Sequence, residues 1–499
     1  MLFSSFFSIQ NSDFIIRILL LPLLSFFIIF LINIWTTRFI YQFAVSISGL
    51  SLLISFYLIL HIQYNIEGFI ENYYFNILPT FSFYFRLGLD GISIFFIVLT
   101  NLFIFLCIFS LSSSTFQLNR ALCHLFFLQW SVICTFLFLD LLAFFIFFEI
   151  TLIPIYFLVI IWGSRERRVR ASYIIALYTL RGSIFMFFNI LYIYSKTGTT
   201  DYELLLQIQL TKEDQLFRWL TFFIAFAAKI PLFPLHIWLP EAHVEAPTIG
   251  SVLLAVLRLK LGVYGLIRFC IPLFPEGTSF FAPIVIIFAC IGIIYTCLTA
   301  RRQIDLKKII AYSSVGHINV VLLGIITETS ESLQGAIFQR LSHGLVSGSL
   351  FFCVGVLYTR YSVRSFKYYS GLVYFYPLFT RIFLLFSLAN ISFPLTSSFI
   401  GEFYIFLGLL RFNFWATVFA ATSIVLGAVY ILWAFNRIFF GNISILSLNT
   451  YKDINKKERA LFRRPIIFLF FRGLLPYYFR DTLFMDCINL LEHAHLNRY

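Results

Sequence analysis

Apolar runs of about twenty residues recur along this chain, and a helix of ~20 such residues is what crosses the hydrocarbon core of a bilayer. They constrain the fold more than any other feature of the sequence. Hydrophobic residues make up 60% of the 499 positions and charged residues only 12%. A water-soluble core cannot bury that much apolar surface. The sequence therefore predicts an all-α, polytopic membrane protein.

The runs predict about fourteen spanning segments. Their expected starts are Phe14, Phe39, Leu87, Ala121, Leu141, Ala171, Trp219, Pro247, Ser279, Lys307, Ser332, Tyr376, Asn413 and Pro465. The last run is short and carries Arg472. Prolines interrupt segment seven just after Lys229 and segment twelve at Pro394, which predicts a broken helix in each. Paired broken helices in inverted repeats are typical of transporters.

Lysine and arginine concentrate in the loops after odd-numbered segments, and the loops after even-numbered segments hold few. The positive-inside rule places the odd loops on the matrix or cytoplasmic side, and both termini on the opposite side. The net charge of +13 is read as this orientation signal and not as a nucleic-acid surface. The absence of an Arg-rich, Ser-rich transit peptide and the 67 phenylalanines, whose codons are AT-rich, favour a protein encoded in an organelle.

Ionisable side chains interrupt the apolar segments at six positions. They are Glu149, Lys229, Lys260, His317, His343 and Glu402. A charge at the bilayer centre costs at least ~2.5–3.5 kcal/mol, so such residues pair with one another or serve ion transport. Glu149 and Lys229 are natural partners if segments five and seven touch. Structural salt bridges between helices remain the alternative explanation.

Other polar residues have weaker functional signals. The eight cysteines form no CxxC pair and are predicted to be packing thiols rather than iron–sulfur ligands or disulfides. Asp90 and Asp140 lie near segment ends, where helix capping or an interfacial ion pair is expected. The spacing of Glu241, His243 and Glu245 fits no standard zinc pattern, which favours a helix-capping loop.

Several tracts together resemble the antiporter-like membrane subunits of mitochondrial NADH dehydrogenase, the proton-translocating respiratory complex I. They include FFEITLIPIYFLVIIWG, FAAKIPLFPLHIWLPEAHVEAP, AYSSVGHINVVLLG, RLSHGLVSGSLFF and SSFIGEFYIF, and the resemblance runs from about Arg86 to Gly441. It implies fourteen helices with two inverted five-helix repeats and broken helices 7 and 12. The implied division is 1–120 for helices 1–3, 121–275 for the first repeat, 276–442 for the second repeat, and 443–499 for a matrix loop and C-terminal helix.

The resemblance also implies a function for the buried charges. It implies a midplane proton axis made of Glu149, Lys229, Lys260, His317, His343 and Glu402. Glu149 and Lys229 would gate proton loading, and Glu402 would be the exit-side carrier. Cofactors would be absent from this chain, because NAD, FMN, iron–sulfur clusters and ubiquinone belong to other subunits. Its partners would be membrane lipids and other membrane-arm subunits, including neighbouring antiporter-like ones, in the mitochondrial inner membrane.

The sequence departs from the family pattern at two places and leaves other functions open. Arg181 stands in segment six, and Leu395 follows Pro394, where the family usually has an apolar residue and a glycine respectively. A cation/proton antiporter would share the fold and most of the charges. A structural bundle that anchors other subunits, or a redox subunit with haem held by His317 and His343, are further alternatives.

Overall fold

The computed structural model describes residues 14–31, 36–61, 68–69, 71–78, 83–112, 114–443, 452–496 and 498. Within these ranges the chain is almost wholly helical, as the sequence predicts. The termini, Met1 and Tyr499, lie outside the described residues, so the side of the membrane predicted for them stays a prediction. A two-stranded antiparallel hairpin is the only described sheet, and an all-α description omits it.

The first third of the chain forms five spans and the hairpin. Its elements are α1 (Phe14–Leu31), α2 (Thr37–His61), β1 (Glu71–Leu78), β2 (Phe83–Leu89), α3 (Gly91–Ser110), α4 (Leu118–Leu137), α5 (Leu141–Ile150) and α6 (Leu152–Trp162). The start predicted for segment three, Leu87, is wrong, because it belongs to β2. The helix begins after Asp90, whose side chain accepts a hydrogen bond from the Ser93 backbone N–H at 2.9 Å.

The middle of the chain contains the first broken helix. Its elements are α7 (Arg168–Thr197), α8 (Tyr202–Leu206), α9 (Lys212–Lys229), α10 (Trp238–Glu245), α11 (Thr248–Leu253), α12 (Leu259–Gly265) and α13 (Ile271–Leu273). The π-helical turns Leu254–Arg258 and Leu266–Cys270 join α11, α12 and α13 into one span. Such turns inside a helix are frequent at functional sites.

The last part of the chain contains the second broken helix. Its elements are α14 (Pro275–Arg302), α15 (Leu306–Ile326), α16 (Ser330–Tyr361), α17 (Pro377–Asn390), α18 (Ser397–Phe412), α19 (Phe414–Phe439), α20 (Lys456–Leu474) and α21 (Tyr477–Leu496). Between α17 and α18, Ser392 and Leu395 have φ of 62° and 74°. Left-handed backbone at a residue with a Cβ is unfavourable, so the missing family glycine leaves a strained break.

Eleven helical segments of the described residues are long and apolar enough to cross a membrane. The other three predicted segments fall short for physical reasons. Segment seven is divided at its break, and its first helix, α9, carries five charged residues. Segment twelve is divided into helices of 14 and 16 residues, and the fourteenth, α20, is rich in lysine and arginine. All fourteen predicted segments therefore correspond to helices.

The C-terminal region differs from its prediction of a single helix starting at Pro465. Two helices are present, and Pro465 lies inside α20. This helix begins earlier because the Glu458 carboxylate accepts a hydrogen bond from the Asn455 backbone N–H at 2.9 Å, as in a capping box. Helix α21 packs against α3, α13 and α16, and its Asp486 side chain faces Gly91, the first residue of α3. It therefore lies across the ends of these helices.

Burial separates inner from outer helices. Nearly all of α3, α11–α13, α15 and α16 is buried inside the protein, whereas α2 and α19 bury about a third of their residues or less. The outer helices present leucine and phenylalanine outwards, as expected for contact with lipid or other apolar surfaces. The inner helices carry three of the six predicted site residues, Lys260, His317 and His343.

Candidate functional site

The first helix break positions a buried ion pair. Lys229 is the last residue of α9, and Pro231 and Pro234 follow it in the non-helical segment before α10. The Lys229 Nζ lies 2.7 Å from Glu149 Oε1 on α5 and donates a hydrogen bond to the Phe148 carbonyl at 2.8 Å. The predicted contact between segments five and seven is thus present in the structure.

The two partners of this pair differ in burial. The lysine side chain is 1% exposed and the Glu149 side chain is 15% exposed. Aromatic packing contributes as well, because Lys229 Nζ lies 3.1 Å from the centroid of the Phe148 ring, within cation–π range. The cation and both carboxylate oxygens are therefore enclosed, and the partly exposed portion of Glu149 is its hydrocarbon stem.

A second group of contacts lies at the centre of the protein. Lys260 on α12 donates to the Ala255 carbonyl at 2.5 Å, inside the preceding π-helical turn, where the regular i→i−4 pattern is interrupted. Its Nζ also lies 3.4 Å from His343 Nδ1 on α16. Both side chains are almost completely buried. The π-helical turn thus supplies the acceptor that orients this lysine beside the imidazole.

The third group belongs to the second helix break. Glu402 lies on α18, after the break, and its Oε1 is 2.9 Å from His317 Nδ1 on α15. Gln339 on α16 donates a second hydrogen bond to the same oxygen at 2.8 Å. The centroids of the His317 and His343 rings are 5.8 Å apart. These contacts link the central group to the second break.

The order of the groups in space differs from their order along the chain. His343 lies between Lys260 and His317, so the spatial sequence is Lys260, His343, His317 and Glu402. No described contact joins Lys229 directly to Lys260. Trp238 occupies the region next to Lys229, where its Nε1 donates to the Ala228 carbonyl at 2.9 Å.

Sequence reasoning missed two buried arginines beside these groups. Arg258 is 1% exposed, donates to Thr179 Oγ1 at 2.9 Å and lies 5.4 Å from the Trp238 ring centroid. Arg340 is 0% exposed and donates to the Leu259 carbonyl. The signal was present, because both arginines interrupt the same apolar tracts as Lys260 and His343. The rule that identified the lysines would have identified them too.

The polar residues with weaker functional signals in the sequence make capping, ion-pair and stacking contacts. Asp140 caps α5 by accepting from the Ala143 N–H at 2.8 Å, which confirms the capping prediction. Asp90 forms an ion pair with Arg268 in addition to its cap. The predicted loop at Glu241, His243 and Glu245 is wrong, since these residues lie in α10. His243 stacks on the Phe351 ring, with centroids 4.5 Å apart.

A cavity of about 440 Å³ opens beside the ion pair of Asp90 and Arg268. Asp486 of α21 lines this cavity, outside the membrane-spanning helices. Burial raises the pKa of the Asp486 carboxyl to about 8, the nearby Asp90 carboxylate raises it as well, and Arg268 opposes them. No described contact connects this cluster to the six predicted site residues.

Comparisons with known proteins add an independent line of observation. Residues 139–427 match the transmembrane family described as NADH:quinone oxidoreductase/Mrp antiporter. The chain is 46% identical to NADH-ubiquinone oxidoreductase chain 4 of Chondrus crispus over 95% of its length and 96% of that protein's length. It is 43% identical to the chain 4 of Marchantia polymorpha, over 96% of this chain and 97% of the other.

Solved structures with the same architecture include a chain of respiratory complex I and a chain of an Mrp complex. A chain of respiratory complex I from Thermus thermophilus with bound NADH matches with a TM-score of 0.87 and 30% identity, covering 97% of this chain and 99% of that one. A chain of the Mrp complex from Dietzia sp. matches with a TM-score of 0.84, covering 98% of each chain. Because the two sequences are only 18% identical, this match is evidence for a shared fold and for nothing more.

Proposed function

We propose a route for protons through this chain, which belongs to the NADH-ubiquinone oxidoreductase chain 4 family and is a proton-translocating, antiporter-like membrane subunit of respiratory complex I. In spatial order, the groups of the route are Glu149, Lys229, Lys260, His343, His317 and Glu402. The main support is the position of His343, which lies next to both Lys260 and His317 in the buried interior. Structural salt bridges do not require such a series of neighbouring groups from Lys260 to Glu402.

Separation of Glu149 from Lys229 is the proposed energy-storing step. Removing one partner of a buried ion pair costs ~3–5 kcal/mol. Carrying one proton across ~180 mV takes ~4 kcal/mol, at ~2.3 kcal/mol per 100 mV. Because these energies are similar, withdrawal of the carboxylate would be sufficient to drive a proton from the enclosed lysine. Glu149 suits the moving role, because its side chain is the more exposed of the two.

The central groups suit onward transfer. A lysine ammonium can only donate, whereas a neutral imidazole has one donor and one acceptor nitrogen. A proton from Lys260 can therefore be accepted by His343, which is 3.4 Å away, and passed to His317 and then Glu402. Water would bridge the two longer steps, between Lys229 and Lys260 and between the imidazole rings.

The proposal also covers the position of this chain in the complex. It is a membrane subunit of an NADH:quinone oxidoreductase complex, and other membrane-arm subunits are its partners. We propose that it holds no redox centre, since its eight cysteines are all buried and unpaired. NAD, FMN, iron–sulfur clusters and ubiquinone would act in other subunits. We also propose that it lies in the mitochondrial inner membrane, with its arginine-rich loops in the matrix and its termini in the intermembrane space.

Replacement of Lys229 tests the route. Lys229→Ala should abolish most proton pumping in energised membranes and slow NADH oxidation with it, while native gels show a fully assembled complex. Lys212→Ala is the matched control, because Lys212 is an exposed lysine of the same helix, paired with Glu276 at 3.6 Å, and lies outside the route. Unchanged pumping in assembled Lys229→Ala complex would contradict the route and favour structural salt bridges. Pumping that depends on sodium or potassium would instead favour the cation/proton antiporter.

A further inference from the structure

The outer helix α7 carries an exposed arginine near its middle, at a depth where surfaces that face lipid normally lack charged residues. Helix α7 buries one side, which packs against α5, α6, α9 and α10. Its opposite side is an apolar stripe that includes Leu177, Ile184 and Phe188, each at least half exposed. Arg181 lies within this stripe at helical spacing and is exposed. We call these four residues the α7 face.

Arg181 is too deep to reach water along the helix. It lies near the middle of the 30-residue α7, so ~20 Å of helix separates it from either end at ~1.5 Å per residue. The hydrocarbon core is ~30 Å thick, which places the centre ~15 Å from each boundary. A guanidinium in contact with lipid tails at that depth is strongly disfavoured, even after the side chain extends towards the interface.

The described part of the chain does not neutralise this charge. Arg181 makes no hydrogen bond, ion pair or ring contact with any residue that the structure describes. The buried arginines behave differently, because Arg258 and Arg340 turn inwards and donate hydrogen bonds to Thr179 and a backbone carbonyl. None of the described residues therefore supplies a partner for Arg181.

The depth of Arg181 distinguishes the two kinds of molecule that could cover it. A phospholipid places its phosphate at the membrane boundary, so its acyl chains would meet the guanidinium at mid-depth. A transmembrane helix can place an aspartate or glutamate at any depth when a cation opposes it. A protein partner with a carboxylate is thus the occupant that satisfies the charge.

The neighbouring surface has a shape that accepts such a helix. A groove of about 810 Å³ lies between α7 and α9 and is lined by the exposed rings of Phe185, Phe188 and Phe217. It ends at Lys196 and Asp214, an exposed ion pair expected at the membrane boundary. The groove therefore extends from its polar end at the membrane boundary to the depth of the α7 face. A transmembrane helix lying in it would cross the same depths.

We propose that the α7 face is an interface within the membrane, covered by a transmembrane helix of another polypeptide whose Asp or Glu pairs with Arg181. This interface does not depend on the proton route, because none of its residues belongs to that route. It would lock this subunit to its neighbour by one specific charge pair in an otherwise apolar contact. Such a pair also fixes the depth and rotation of the partner helix.

Photo-cross-linking in the intact complex identifies what covers the face. Benzoylphenylalanine would replace Ile184 in one preparation and Ile287, an exposed residue of α14, in a control preparation. After illumination of native membranes, mass spectrometry should map the position-184 adduct to a transmembrane segment of another subunit with Asp or Glu within one helical turn. An adduct with lipid, or with a segment that lacks an acidic residue, would overturn the proposal.

Charge variants test the pairing itself. Arg181→Leu suits lipid but would leave a partner carboxylate unpaired, so we expect at least a fivefold loss of assembled complex on native gels. Arg181→Lys should retain most assembly, and Arg170→Leu, an exposed arginine near the start of the same helix, should match wild type. Arg181→Glu combined with a lysine at the cross-linked acidic position should restore assembly. Wild-type assembly of Arg181→Leu would overturn the proposal.

Discussion

The two helix breaks hold opposite charges in different surroundings. In the first, the cation Lys229 ends the helix before the break, and its partner Glu149 comes from α5. In the second, the anion Glu402 lies on the helix after the break, and its partner is an imidazole from α15. The first pair combines two groups that are both charged when paired, whereas His317 bears charge only when protonated.

This difference assigns different tasks to the two halves of the proposed route. Loss of one partner at the first break leaves an unpaired buried charge, which is costly. At the second break, the histidine can adapt by changing its protonation, and Gln339 still donates to Glu402. The first half is therefore suited to storing energy in a separated pair, and the second half to passing a proton on.

The largest effect should come from breaking the first pair. Glu149→Gln leaves Lys229 without a counter-charge and should destabilise the subunit by ~3–5 kcal/mol. The temperature at which the subunit dissociates from solubilised complex would measure this, together with pumping. The double variant Glu149→Gln with Lys229→Met removes both charges, so it should recover thermal stability without recovering pumping. Wild-type stability of the single variant would contradict the asymmetry between the breaks.

Neutralising the acid of the second break should harm transport more than stability. Glu402→Gln keeps the size of the side chain but cannot accept the transported proton, so we expect pumping to fall at least ~100-fold, the lower range for loss of a positioned acid or base. Thermal dissociation should shift less than in Glu149→Gln. Glu331→Gln is the control, because Glu331 pairs with Arg411 at the surface, at 2.7 Å. Equal instability of the Glu149 and Glu402 variants would show that the breaks are equivalent.

A smaller effect is expected from Gln339→Leu. This change removes the amide that donates to Glu402 at 2.8 Å, and hydrogen bonds to charged groups contribute ~1.5–3 kcal/mol. Pumping should slow by roughly tenfold, since ~1.4 kcal/mol corresponds to a factor of ten. Stopped-flow measurement of proton release against NADH oxidation would detect it. A larger loss than in Glu402→Gln would contradict the positioning role given to this amide.

The smallest effect should come from an exposed pair. Arg411 and Glu331 are 70% and 38% exposed, and surface ion pairs contribute ~0–1 kcal/mol. Arg411→Ala should therefore leave pumping and thermal dissociation of the complex unchanged within error. A clear loss of either would mean that another subunit contacts this pair.

The sequence predicted the spans well because burial in a bilayer leaves a strong local signal. Apolar runs gave all fourteen helical segments, and prolines gave both breaks at the right places. Boundaries were poorer where tertiary contacts determine them. The hairpin before α3 was missed because pairing between its two strands, and not an apolar run of spanning length, defines it. The division of the C-terminal region into α20 and α21 was missed because capping defines the start of α20.

The six candidate site residues could be identified from the sequence, but the contacts between them could not. An ionisable residue in an apolar run is visible in the sequence because its insertion is costly. Which residues touch depends on helices far apart along the chain, and only packing brings α12 to α16 or α15 to α18. The position of His343 between Lys260 and His317 could not be read from their order. Arg258 and Arg340 were overlooked, although the same rule applies to them.

The sequence by itself determined that this protein spans a membrane, where its helices break and which charges are buried, because the cost of polar groups in hydrocarbon acts on each segment separately. The tertiary structure alone decided which charges pair, which side chains are enclosed and which outer helix carries an arginine without a partner among the described residues. Those properties depend on distances of a few ångströms between segments that lie far apart in the sequence, as do His317 and Glu402, which are 85 residues apart. The energetics of each segment therefore determined the helices and their buried charges, and tertiary packing determined the contacts between those charges.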